Sequence, residues 1–80
     1  MKLSTKDLVN LIKVADFTGN AESISATQNE KFINIEYNPE EFYPFIVQIV
    51  QGETKEKQIF LRSEVRQVRD IYNTLINKTK

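Results

Sequence analysis

The chain has 80 residues, of which 40% are hydrophobic and 28% charged, with two glycines and two prolines. This size fits one small folded domain, residues 1–80, and leaves no room for a second. The lack of histidine and cysteine excludes imidazole bases, thiolate nucleophiles, disulfides and the usual ligands of structural zinc. Eleven basic and eleven acidic residues cancel, so no net charge draws the chain to nucleic acid or anionic membranes.

Hydropathy predicts a cytoplasmic protein with no membrane partner. Asp7 interrupts the segment in which a signal peptide needs an unbroken apolar core. The longest nearly apolar run, residues 42–47, includes Pro44 and is far shorter than the roughly twenty residues that span a bilayer. Isoleucine, asparagine and lysine supply 24 of the 80 residues. That composition is typical of AT-rich genes and suits a small accessory protein of a bacterium or phage.

The amino-terminal segment has the pattern of an amphipathic helix over residues 5–16. Ser4 is placed to cap it, and Asp7 adds the negative charge that a helix amino terminus favours. We expect Gly19 to lie just past the helix end and Phe17 to fold back onto the core. The apolar positions recur at helical spacing: Leu8, Leu11, Ile12 and Ala15.

The middle of the chain changes to the two-residue period of β-strands. Residues 33–37 alternate between apolar and polar side chains, and 45–51 and 57–62 form two more strands joined by a polar five-residue loop, 52–56. A weaker pattern at residues 22–27 predicts a fourth strand, without which the sheet has three.

The carboxyl-terminal segment predicts a second amphipathic helix, residues 64–77, with Val65, Val68, Tyr72, Leu75 and Ile76 on one face. The order α-β-β-β-β-α indicates an α+β domain of two layers. We expect an antiparallel sheet with both helices on one face.

The strand faces carry unequal amounts of apolar surface. With both helices on one face, that face takes Ile33, Ile35, Tyr37, Phe45, Val47, Ile49, Ile59 and Leu61. The opposite, open face keeps four large apolar residues among polar ones: Phe32, Ile46, Val50 and Phe60. An apolar patch of this kind marks an interaction site on many proteins. Three groups could cover this patch: a second copy of the chain, a different partner, or the chain's own loop 38–44.

That loop combines acidic and aromatic residues between two prolines: Glu40, Glu41, Phe42 and Tyr43. One interpretation is an aromatic contact site ringed by acid for a basic partner. The other is a solvated turn with one aromatic ring packed against a helix.

A basic ridge favours an alternative function, nucleic-acid binding. Its residues are Arg62, Arg66, Arg69 and Lys80, with Phe32 and Phe60 as stacking platforms. We expect Arg66 to pair with Asp70 one turn later, which favours an ordinary solvated helix face.

The remaining candidates for chemistry are carboxylates and tyrosines: Glu36, Tyr37, Glu40, Glu41 and Tyr43. Glu40 and Glu41 are adjacent in a loop, so their side chains need not converge, and no glycine-rich phosphate loop accompanies them. We therefore expect no catalytic, metal-binding or cofactor-binding residues. The sequence predicts a non-enzymatic protein-binding module whose first partner is a second copy, giving a homodimer through the open face.

Overall fold

The computed structural model describes residues 2–76, which form a helix, four strands and a second helix. The strands make one antiparallel sheet in the order β1-β2-β3-β4, so the predicted α+β architecture and its fourth strand are confirmed. Lys80 of the predicted basic ridge lies outside the described residues. The elements are α1 (Thr5–Thr18), β1 (Glu22–Gln28), β2 (Lys31–Tyr37), β3 (Phe45–Gln51), β4 (Thr54–Phe60), a short 3-10 helix (Arg62–Glu64) and α2 (Val65–Ile76).

Helix α1 begins at the predicted cap and ends later than predicted. The Ser4 hydroxyl accepts a hydrogen bond from the amide of Asp7 at 3.1 Å, and the Asp7 carboxylate accepts one from the amide of Ser4 at 3.0 Å. These bonds favour the carboxylate and lower the pKa of Asp7. Gly19, with φ 73°, ends the helix after Thr18. The added residues carry Phe17 onto the solvent side, where it is 91% exposed, so its predicted return to the core is wrong.

Both helices cover the same face of the sheet, as predicted. α1 packs mainly over β1, and α2 packs mainly over β2. The core draws only alternate residues from β2 and β3, because successive side chains of a strand point to opposite faces. The buried hydrophobic residues that make up this core are Leu3, Leu8, Leu11, Ile12, Ala15, Ile33, Ile35, Tyr37, Phe45, Val47, Ile49, Val68, Tyr72 and Ile76.

A pair of hydrogen bonds ties the amino terminus to α2. Asn73 accepts a bond from the backbone amide of Leu3 and donates one to its carbonyl, both at 2.8 Å. This closes a ring across 70 residues of sequence and satisfies both backbone groups of Leu3.

The β3–β4 hairpin differs from its prediction in a way that reverses one strand. The connection is a two-residue turn, Gly52–Glu53, and Gln51 pairs with Thr54 instead of Lys57. Gly52 has φ 58°, the positive value that a type II′ hairpin turn requires at its first central position. A shift by three residues is odd, so every side chain of β4 changes face.

The placement of Ile59 and Phe60 is therefore the reverse of the prediction. Phe60 lies opposite Phe45 on the helix-covered face and packs against the core. Ile59 lies opposite Ile46 on the open face and is 52% exposed. Leu61, predicted within the strand, follows the end of β4 and is partly exposed.

Candidate protein-binding surface

The open face consists of rows of side chains that run across the four strands. The register places Phe32 beside Val50 in one row and Ile46 beside Ile59 in another. A polar row separates them: Ser25, Asn34, Gln48 and Lys57. The predicted single apolar patch is thus two separate pairs, each an ordinary size for the surface of a small domain.

The loop between β2 and β3 is held by hydrogen bonds at its base. The amide of Asn38 donates to the carbonyl of Pro44 at 2.9 Å, and the amide of Glu41 donates to the carbonyl of Asn38 at 3.1 Å. The side-chain oxygen of Asn38 also accepts from the amide of Glu40 at 3.1 Å, which is an Asx turn. With Pro39 fixing another φ angle, the loop has little freedom left to lose on binding.

Both aromatic side chains of this loop are accessible. Phe42 is 79% exposed and Tyr43 is 43% exposed, so neither belongs to the core. Their rings contact each other edge to face, with centroids 5.0 Å apart, in an arrangement that aromatic pairs favour. The interpretation of the loop as a turn with one buried aromatic does not describe this arrangement.

The loop and one apolar pair of the open face meet at the same end of the sheet. Phe42, Tyr43, Ile46 and Ile59 line a hollow of about 300 Å³ together with Glu41 and Lys57. We name these four apolar residues the loop-end cluster. Two regions that the sequence indicated separately, the sheet face and the acidic-aromatic loop, therefore form one surface.

Acidic groups predominate around the loop-end cluster. Glu36 lies next to Ile46 in the cross-strand row, and Glu41 lines the hollow itself. Glu40 is exposed in the same loop. Lys57 is the basic residue that lines the hollow. A partner with apolar side chains flanked by basic ones complements this distribution.

A larger groove lies on the other side of Phe42, between α1, the loop and the start of α2. It has a volume of about 780 Å³. Sequence reasoning missed it, although Val9 beside the apolar stripe of the first helix was a signal of a wider apolar face. Its apolar lining includes Val9, Ile12, Tyr37, Phe42, Leu61 and Val65.

The floor and rim of this groove differ in polarity. Burial raises the pKa of the Tyr37 phenol, an effect that the charge of Arg62 opposes, so the hydroxyl is neutral at pH 7. The rim carries Lys13, Glu41 and Arg62. The groove thus combines an apolar interior with charges of both signs at its edge.

The arginines of the predicted basic ridge are largely engaged within the chain. Arg62 pairs with Asp16 at 3.2 Å. Arg69 binds Asp70 at 2.8 Å and donates to the Thr5 hydroxyl at 2.8 Å. The Asp70 carboxylate therefore pairs with Arg69, and the predicted pairing of Asp70 with Arg66 is wrong.

The stacking part of the nucleic-acid prediction is divided between two faces. Phe32 lies on the open face, and Phe60 lies on the helix-covered face with its ring against the core. The two rings cannot stack on neighbouring bases of one strand, because the sheet separates them.

Within residues 2–76, no three acidic side chains are grouped closely enough to share a metal ion. No helix in that range is long and apolar enough to cross a membrane. Comparisons with protein families, with curated proteins and with solved structures find no match for this chain.

Proposed function

We propose that this chain is a non-enzymatic protein-binding module that holds its partner at the loop-end cluster. The observation that carries the proposal is Phe42, a 79% exposed aromatic side chain on a loop braced by hydrogen bonds. Aromatic residues are enriched among the few that dominate binding energy. A braced loop loses less conformational entropy on association, which favours affinity.

The chemistry of the surface indicates the kind of segment that binds. Apolar side chains of the partner fit against Tyr43, Ile46 and Ile59, while lysine or arginine flanks face Glu36 and Glu41. The occupant is a foreign protein segment or a second copy presenting comparable side chains. No cofactor takes part in this proposal.

Peptides selected from a displayed random library against the immobilised chain test the proposal. We expect the selected peptides to combine apolar and basic residues. Phe42→Ala should weaken their binding by about thirtyfold or more, since truncating a dominant residue costs about 2 kcal/mol or more. The matched control is Phe17→Ala, which removes an aromatic ring of α1 that is 91% exposed and does not line the hollow.

Two further readouts accompany the selection. Amide shifts on titration with a selected peptide should concentrate at Phe42, Tyr43 and Ile59. Equal loss of binding in the Phe42 and Phe17 variants, or shifts elsewhere, would contradict the proposed surface. Light scattering identifies the occupant: a dimer that Ile59→Lys converts to a folded monomer means that a second copy binds here.

Nucleic-acid binding has weaker support, because Arg62 and Arg69 are already paired with acidic side chains. A titration of labelled single-stranded and duplex oligonucleotides at low salt tests it, since phosphate contacts are strongest there. We expect no binding at protein concentrations of roughly tens of micromolar.

A further inference from the structure

The outer edge of β1 is open to pairing. The strand has seven residues and pairs with β2 along its full length without a bulge. No other described strand adjoins it. From Ser23 to Thr27 it contains neither a charge nor a proline, the residues that commonly protect a sheet edge from association.

β4, at the opposite edge of the sheet, carries charged residues of the kind that protect a sheet edge from association. The middle of β4 reads Lys55, Glu56, Lys57. Antiparallel pairing of two copies centred on any of these residues places that residue opposite its own like charge, which is destabilising. The two edges of this sheet therefore differ sharply in their capacity for self-association.

The backbone groups of β1 alternate in direction. The two-residue turn after Gln28 pairs that residue with Lys31 through backbone hydrogen bonds. In an antiparallel ladder every second residue then bonds inward, which leaves the N–H and C=O groups of Ser23, Ser25 and Thr27 directed outward. These groups offer a second strand about six hydrogen bonds.

We propose that two copies of the chain pair through β1, antiparallel and about a two-fold axis at Ser25, to form one continuous sheet with all helices on the same face. The strand is complementary to itself in this register. Ile24 lies opposite Ala26 of the second copy, so a large apolar side chain meets a small one. Glu22 lies opposite Gln28, and no like charges face each other.

Helix α1 adds apolar surface beside the same edge. Thr5 accepts a hydrogen bond from Arg69 of α2, and Asp16 pairs with Arg62 of the 3-10 helix that precedes α2, so these residues mark the flank of α1 that faces α2. Successive side chains of a helix are about 100° apart around its axis, so Val14 lies on the flank of α1 opposite Thr5 and Asp16. Because α1 packs over β1, the Val14 side chain, which is 48% exposed, faces the outer edge of that strand. A second copy covers Val14 together with partly exposed Ile24. This contact uses a different surface from the loop-end cluster and does not depend on the proposed function.

Amide hydrogen exchange tests the proposal directly on the wild-type chain. At a concentration of about 0.5 mM, the amides of Ser23, Ser25 and Thr27 should be protected, and the protection should fall at about 10 µM as the dimer dissociates. The outward amides of β4 at Lys55 and Lys57 provide the internal control and should exchange rapidly at both concentrations. Rapid exchange of the three β1 amides throughout would overturn the proposal.

Charge substitutions test the axis. Ser25→Lys places two lysines opposite each other and should weaken the dimer in light scattering by about tenfold or more. An equimolar mixture of the Ser25→Lys and Ser25→Glu variants should recover the dimer, because opposite charges then meet at the axis. Gln48→Lys, at an exposed central position of the open face, is the control and should leave the dimer intact.

Two results in solution would contradict the proposed β1 contact. A wild-type monomer at about 0.5 mM overturns the β1 contact. A dimer lost in Gln48→Lys but kept in Ser25→Lys also overturns it, because the sheets then stack through their open faces. If the lysine variant at Ser25 proves unfolded by circular dichroism, the exchange measurement on the wild type decides.

Discussion

Alanine substitutions at Phe60 and Ile59 test the register of the β3–β4 hairpin, which determines the composition of the loop-end cluster. Phe60 is partly buried and packs against the core opposite fully buried Phe45. Ile59 is 52% exposed on the open face. The two residues are adjacent in sequence, so the comparison isolates the face on which each side chain lies.

The expected magnitudes follow from burial. Truncating a fully buried phenylalanine to alanine costs about 3–5 kcal/mol, so partly buried Phe60 should cost about 2–3 kcal/mol. For Ile59, half exposed and opposite Ile46, the loss should be under about 1 kcal/mol. Urea unfolding followed by circular dichroism measures both. If the free energy of unfolding falls by about 1 kcal/mol per molar urea, the urea concentration at the midpoint of unfolding should be about 2 M or more lower in the Phe60 variant.

Equal losses, or a larger loss at Ile59, would refute the two-residue turn and restore the register of a five-residue loop. With a five-residue loop, Ile59 would pack under the helices, and the loop-end cluster would lose one of its four members. The comparison requires that the dependence of unfolding free energy on urea concentration is the same in both variants, because a changed dependence signals a different unfolded state.

Three further predictions concern local interactions. Asn73→Ala removes both hydrogen bonds to Leu3 and should cost about 1–3 kcal/mol in urea unfolding, whereas loss under about 0.5 kcal/mol would show that the amino terminus is not tied to α2. The hydrogen bonds to Ser4 lower the pKa of Asp7 below its ordinary value of 3.8. The stability that the Asp7 carboxylate contributes is therefore present above pH 3.8 and is lost as the pH falls through the lowered pKa. An NMR titration midpoint of Asp7 at or above 3.8 would contradict this. Gly52→Ala meets no atom within 4 Å but must adopt φ 58°, so it should cost about 1 kcal/mol in thermal unfolding, and no loss would mean that the turn relaxes.

Local sequence patterns were sufficient to locate the regular elements. The apolar spacing of the first helix, the capping pair Ser4 and Asp7, and the two-residue alternation of β2 all appear in the structure at or near the predicted positions. Each depends on residues a few positions apart, and short-range geometry determines their relation. The acidic-aromatic loop was likewise recognisable, because its prolines and paired glutamates stand together in the chain.

The tertiary structure alone decided which face each side chain of β4 occupies and which acidic residue Arg62 binds. A period of two identifies a strand but not its face, since the face depends on the register that the turn sets. The sequence allowed turns of different length, and the shorter one exchanged Phe60 for Ile59 on the open face. Arg62 found Asp16 on a distant helix because packing brings α1 to the end of the sheet. Asp16 and Arg62 are separated by more than half of the chain, so no local pattern encodes their pairing.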